Sequence, residues 1–415
     1  MTRPSLLGGP GAVLLTLSLA GLASAGDWPQ WRGPNRDGVA HESGLLRQWP
    51  ADGPSLAWRA TGLGKGFSSV SVAEGRVFTM GDSAAAGHVL ALAERDGKVL
   101  WTSAPIGKPG GGPAGTRCTP SVDGGLVYAL GQWGELVCVD AASGQERWRH
   151  SVTKEFGGGV PGWQYSESPL VDGNKVLCTP GGRKGAVVAF NKATGEVVWQ
   201  SADFTDSAHY SSIIAAMIGG RRQYIQLTPA SVVGLAAEDG KVLWRANRPG
   251  KTAVVPTPIF HDNHVFVTSG YGVGCNLFKV TATGGNFEAG QVYANTDLAN
   301  HHGGVLRVGD CLYGHSDSRG WVCMELKTGK ILWSHRGVGK GAVTCADGHL
   351  YLRSEDKSRG TIALVEATPD GYREKGRFNP PDLSGKETWP HPVVANGRLY
   401  IRDQDVLLCY DVKAK

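Results

Sequence analysis

The sequence predicts an all-β protein: an eight-bladed β-propeller of four-stranded antiparallel blades whose last blade is closed by the N-terminal strand. Three observations carry this. A Gly-containing turn and a short apolar run ending in Trp recur as RDGKVLW (95–101), ASGQERW (142–148), ATGEVVW (193–199), EDGKVLW (238–244) and KTGKILW (327–333). Trp101, Trp148, Trp199 and Trp244 are spaced by 47, 51 and 45 residues, and the 89 from Trp244 to Trp333 hold a degenerate copy near Tyr293. Periods of this size made of short strands are those of propeller blades. Each Trp unit is preceded by two apolar runs around an Asp-Gly or Asn-Gly type turn, as in TPSVDGGLVYAL (119–130) and HPVVANGRLYIR (391–402), which is a hairpin signal. Finally, the last repeat stops after its third strand, while SLAWRA (55–60) places Trp58 43 residues before Trp101. That orphan strand can complete the last blade and leave no open edge.

In chain order, residues 1–25 read as a signal peptide: Arg3, an apolar stretch over 12–23, and Ala23-Ser24-Ala25 as the cleavage site. Periplasmic or secreted localisation follows, with no lipid-anchor Cys after Ala25. Residues 26–53 form a Trp- and Pro-rich arm without strand alternation, expected on the outside of the ring. Residues 54–413 are the propeller. A closed ring has no edge to extend, so the chain is expected to be a monomer. The chain has 415 residues, 61 of them Gly, as many tight turns require. Its net charge of +5 is interspersed and does not point to nucleic acid.

Cys138, Cys323 and Cys409 share one strand-C position with Ala91, Ala189 and Gly234, so these cysteines read as small core residues. Export permits disulfides, and Cys311 could meet Cys323 within one blade. There is no CxxC and no CxxCH.

Up-and-down blades send the A–B and C–D turns to one face and the B–C and inter-blade loops to the other. The former are uniformly short; the latter are long and varied, as in GKPGGGPAGTR (107–117) and KEFGGGVPGWQYS (154–166). Variable loops on a rigid ring are where binding sits. The starts of the A strands supply the candidate ligand-binding set: Arg117, Trp163, Tyr165, Glu167, His209, His302, Lys340, Trp389 and His391. Flat aromatics and cations suit a small polar or anionic ligand. A solvated polar funnel would carry the same residue types. His301 and His302 are adjacent, and neighbours on a strand point to opposite faces, so they are not read as a metal pair. SEDKSRG (354–360) and RDQD (402–405) read as surface ion pairs, or else as part of a partner-binding rim. No nucleophile or metal set is recognised.

The repeat resembles the pyrroloquinoline-quinone (PQQ) repeat, nearly intact as CVDAASGQERW (138–148) and AFNKATGEVVW (189–199). It is similar to the propellers of quinoprotein alcohol dehydrogenases and of the outer-membrane barrel-assembly lipoprotein. The arm DWPQWRGPNRDG resembles the start of a group of exported bacterial PQQ-like repeat proteins. The first resemblance implies PQQ with Ca²⁺ and oxidation of an alcohol or sugar. That family holds its quinone under a pair of adjacent cysteines and binds Ca²⁺ through a Glu, an Asn and a catalytic Asp. No two cysteines are adjacent here, and the Asn and Asp fall on no matching motif. The second resemblance implies a non-enzymatic binding or scaffold module with an exported protein partner. A carbohydrate-cleaving propeller would need a second carboxylate beside Glu167.

Overall fold

The computed structural model describes Met1 and residues 26–414; the expected signal peptide otherwise lies outside the described residues. Eight sheets follow one another along the chain. Blade 1 comprises Ser71–Ala73, Arg76–Asp82, Gly87–Ala93 and Val99–Thr102, strands A to D from the axis outward, and the pattern repeats around the ring. Blade 8 has three C-terminal strands, Val393–Ala395, Arg398–Asp403 and Val406–Asp411, and takes Ser55–Ala60 as its strand D, antiparallel to Val406–Asp411. Among the described residues no helix is long and apolar enough to cross a membrane.

The recurrent Trp joins each blade to the next. Trp58, Trp101, Trp148 and Trp199 donate their indole N–H to Glu94, Ala141, Lys192 and Ala237 carbonyls of the following blade at 2.9–3.2 Å. Each ring lies over the turn glycine of that blade: Gly97, Gly144, Gly195 and Gly240. A Cβ at Gly97 would stand 2.5 Å from the Trp58 ring, so the Gly of the motif is fixed by packing as well as by its φ of 72°. Tyr293 takes the Trp role over Gly329, and Phe378 over Gly53. Trp244 departs from the pattern. Blade 5 extends its C–D hairpin into ten-residue strands, Gly274–Thr283 and Asn286–Asn295, and Trp244 bonds Gln223 of its own blade instead. Trp199 and Trp244 are buried, whereas Trp101, Trp148 and Trp333 keep an outer edge in solvent.

Opposite each Trp on strand C stands the small position: Ala91, Cys138, Ala189, Gly234, Cys323 and Cys409. At Gly234 even a Cβ would lie 2.1 Å from the Trp244 indole nitrogen. All eight cysteines are buried and free, Cys311 and Cys323 included.

The ring departs from the sequence expectations at two places. Only the second half of the arm packs on the outside, with Trp49 N on the Lys375 carbonyl of blade 7's outermost strand and its ring against Phe378. Residues 28–40 enter the central channel and fill it. Trp28 pairs with Val72 of blade 1 at 2.8 Å in both directions, and Pro29 accepts from Val122 N of blade 2. Arg36 donates to the Ser168 and Pro169 carbonyls of blade 3. Trp31 donates to Thr257 Oγ1 of blade 5, and Arg32 to the Val305 carbonyl of blade 6. Val39–Ala40 then runs parallel to Cys345–Ala346 of blade 7. The arm needs no strand alternation because the A strands of the ring satisfy its backbone. Gly33 (φ 82°) and Gly38 (φ 81°) permit the tight loop, pressed against Trp28 and Arg32. The channel is therefore plugged and not a water-filled funnel.

The RDQD segment is likewise not a surface ion pair. Arg402 is wholly buried at the junction of blades 8 and 1, donating to Leu63, Gly64 and Gln404 carbonyls and to Thr79. Asp403 and Asp405 accept from Ser384 and from the Gly62 and Gly64 amides.

Candidate binding site

At the loop-rich mouth the plugged channel leaves a cup of about 280 Å³. Its wall draws on strand-A starts and loops of several blades, and Trp31 lies at its base. Of the nine candidate residues, Arg117, Trp163, His302, Trp389 and His391 line this cup. Trp31, Phe67, Tyr210, Tyr271 and His301 join them. The rings follow one another around the cup. Trp31 and His391 have centroids 4.6 Å apart, as do Phe67 and Trp389; His302 and Trp389 are 5.1 Å apart, His301 and His302 4.4 Å, and Tyr271 and His301 4.8 Å.

Four candidates do not line the cup. Tyr165 is in the core with its hydroxyl on the Pro180 carbonyl, and Glu167 is buried accepting from Thr179 N and Oγ1. The reason is parity: along the chain from Gln164 to Ser168, Ser166 faces the cup, so its neighbours on either side face the blade junction. His209 stacks behind Tyr210 and accepts from Val254 N, while Tyr210 reaches the cup. Lys340 lies one layer out, held by Asp317 at 3.3 Å, Glu355 at 3.8 Å and His301 Nδ1 at 2.8 Å. Conversely, His301 and His302 sit in a turn and not on a strand, so both rings face the cup, against the expectation from strand alternation. An arm expected on the outside leaves Trp31 out of the candidate set. Its signal was the dense WPQWRGPNRDG cluster, too rich in Trp and Arg for a solvated tail.

The protonation pattern follows from the partners. The Lys340 ammonium can only donate, so His301 Nδ1 accepts and its Nε2 carries hydrogen toward Tyr271 Oη at 2.8 Å. Burial, aided by His302 and Lys340, pushes His301 down to about 4, so it is neutral at pH 7. His391 donates Nε2–H to the His302 carbonyl at 3.0 Å, and burial beside Arg32 holds it near 3. While folded, His391 therefore does not titrate between pH 5 and 8. Burial opposes ionisation of Glu355, yet its bond to His302 and the Lys340 charge keep it below the ordinary range. Arg117 is different. Its guanidinium bonds neutral acceptors, Gln132 Oε1 at 2.6 Å and the Pro113 carbonyl at 2.5 Å, and lies over Phe67. Among the described residues no carboxylate forms an ion pair with it. No cluster of three metal-ligating side chains occurs among the described residues. A wider groove on the short-turn face has its Arg76, Arg95 and Arg398 paired with acids.

Glu167 yields a pH prediction. Burial raises its carboxyl to about 7, against the Thr179 bonds and the Arg36 charge. A raised folded pKa contributes stability that is full below the unfolded value near 4.5 and lost as pH rises through about 7. Glu167→Gln is expected to stabilise the chain at pH 8 by on the order of 3 kcal/mol, and to have little effect at pH 4.5. Thermal melts across this range check it; a gain that does not grow with pH would contradict the assignment.

Comparison with known proteins fits this architecture. A family model described as "Outer membrane protein assembly factor BamB" matches residues 38–158 and 85–335. The outer membrane protein assembly factor BamB of Shewanella oneidensis is 24% identical over 278 residues, covering 63% of this chain and 67% of that protein. A tetrathionate hydrolase of Acidithiobacillus ferrooxidans is 27% identical over 59% of this chain but only 43% of its own length. Among solved structures, BamB from Moraxella catarrhalis superposes with a TM-score of 0.59 at 16% identity, over 81% of this chain and 94% of that one. Quinohemoprotein alcohol dehydrogenase from Comamonas testosteroni gives 0.64 at 13% identity, over 94% and 81%. At these identities the superpositions show the fold alone.

Proposed function

Because the chain belongs to the family described as outer membrane protein assembly factor BamB, whose blades are PQQ-like repeats, we propose that it is an exported binding or scaffold module. It holds a small polar or anionic ligand, or a group of an exported partner, in the cup. Residues 1–25 serve as leader, 26–53 as the arm and 54–413 as the ring, working as a monomer. One observation carries the reading: side chains from separate blades meet in a single ring-lined cup that the chain's own Trp31 closes from beneath.

The quinoprotein reading is disfavoured by the donor set. Ca²⁺ takes oxygen ligands, carboxylates above all, and among the described residues no carboxylate lines the cup. Glu167 is bonded to Thr179, Asp317 is paired with Lys340, and Glu355 with His302 and Lys340. PQQ carries three carboxylates, and among the described residues Arg117 is the one arginine or lysine lining the cup. The buried free cysteines offer no disulfide platform.

Trp31, Trp163 and Trp389 report on the cup by fluorescence. Titrating the purified chain with small acids, sugars and peptides is expected to give a saturable emission change with some of them, and Trp389→Ala is expected to remove it while the far-UV spectrum is retained. A response that survives both Trp389→Ala and Trp163→Ala would place binding elsewhere. Alcohol-dependent dye reduction after addition of PQQ and Ca²⁺ would overturn the non-catalytic reading.

A further inference from the structure

Resting on the binding-module reading, we propose that the cup is a receptor site for a single-ring aromatic monocarboxylate, with the ring among Trp31, Trp163 and Trp389 and the carboxylate at Arg117.

Charge decides the sign of the ligand. Lys340 is paired directly with Asp317 and Glu355, whereas Arg117 bonds neutral acceptors and meets the Asp82 charge only across Gln132. A largely buried guanidinium in that state favours an anion, and Arg recognises carboxylates with directional, charge-assisted bonds. Among the described residues no carboxylate lines the cup, so a cation finds no anionic partner at its wall despite the aromatic rings.

Hydrogen bonding decides the polarity. Because His301 gives its Nε2–H to Tyr271 Oη, the Tyr271 hydroxyl hydrogen is left for a ligand oxygen. Among the described residues no carboxylate lines the cup to accept from a sugar's hydroxyl groups, and each donor left unpaired on burial weakens binding. A carboxylate on an otherwise apolar ring brings acceptors and no unmatched donors.

Shape decides the rest. The cup of about 280 Å³ corresponds to roughly nine water volumes, which suits one ring with its acid group. The exposed faces of Trp163 and Tyr271, 39% and 40% accessible, are flat platforms awaiting a partner.

Calorimetric titration with benzoate, benzamide, benzylamine, cyclohexanecarboxylate and glucuronate tests this. Benzoate is expected to bind at least tenfold more tightly than benzamide, the size of one charge-assisted bond; cyclohexanecarboxylate is expected to be weaker than benzoate, and benzylamine not to bind. Arg117→Gln is expected to weaken benzoate about tenfold and benzamide, whose carbonyl makes only a neutral bond there, by much less, a difference that a misfolded variant would not show. Trp163→Ala, at an exposed position, is a second probe of the ring contact and is expected to weaken benzoate and benzamide together. Equal binding of benzamide and benzoate, or preference for glucuronate or benzylamine with Trp389 dependence, would overturn the ligand class and keep the cup as a binding site. Absence of any Trp389-dependent binding among these probes and the broader acids, sugars and peptides would overturn both.

Discussion

Deleting residues 26–62 is expected to abolish cooperative folding and leave an aggregating chain. The deletion removes strand D of blade 8, so Val406–Asp411 becomes an open edge. It removes Trp58, whose indole bonds Glu94 O at 2.9 Å and covers Gly97 of blade 1. It also removes the plug, in which Trp28 is buried and Arg36 satisfies the Ser168 and Pro169 carbonyls, and the buried Trp49 packed on Tyr351 and Phe378 of blade 7. Loss of each buried Trp side chain costs about 3–5 kcal/mol, and a domain's whole stability is about 5–15 kcal/mol. Circular dichroism melts and light scattering check it; a truncated chain that melts like the full one would show that the ring closes without this strand. Deleting only residues 26–40 separates the two roles. It spares Ser55–Ala60 but opens the channel and removes Trp31 from the cup. That chain is expected to fold with a lower Tm and to lose the cup's fluorescence response.

Arg402→Ala is expected to cost about 3–5 kcal/mol, because removing a buried, fully bonded cation leaves several acceptors unpaired. Arg402 ties blade 8 to Thr79 of blade 1 and to the Leu63–Gly64 linker that leads out of the closing strand. Burial lowers it to about 10, so it remains cationic at neutral pH. Arg402→Lys keeps the charge but cannot fork across these acceptors, so it is expected to recover less than half of the loss. Arg147, half exposed in its bond to Asp140, is the control: Arg147→Ala is expected within about 0.5 kcal/mol of the parent. Urea unfolding midpoints compare the three. An Arg402→Ala chain as stable as the Arg147→Ala chain would show that the closing joint does not depend on this side chain.

The repeat architecture was legible because it is local chemistry written many times. Turn glycines, alternating apolar strands and a Trp at a fixed distance define each blade. The orphan Trp58 strand gave away the closure, and the small strand-C position explained Cys138, Cys323 and Cys409 before their Trp partners were seen. The topology of short turns and long loops likewise indicated which face to search, and Arg117, Trp163, His302, Trp389 and His391 all lie at the resulting cup.

Tertiary structure decided what depends on contacts distant along the chain or on the phase of an irregular segment. Tyr165 and Glu167 differ from Ser166 by one residue, and no repeat fixes the parity of a loop entering a strand. Arg402 and Arg36 look like surface residues, since arginine is seldom buried, until the closed ring brings acceptors distant in the chain, Thr79 and Leu63 O to one and Ser168 O and Pro169 O to the other, against their guanidinium groups. The arm carries no periodicity at all. Its place in the channel is set by A strands as far apart in the chain as Ser71–Ala73 and Gly341–Ala346 that converge on the axis, leaving amides and carbonyls that only an inserted segment can meet. By itself the sequence determined the ring, because each blade needs only its own turn, strands and Trp. Only the closed ring decided where Trp31 lies and hence the base of the cup, because that position is created by distant blades meeting around one segment.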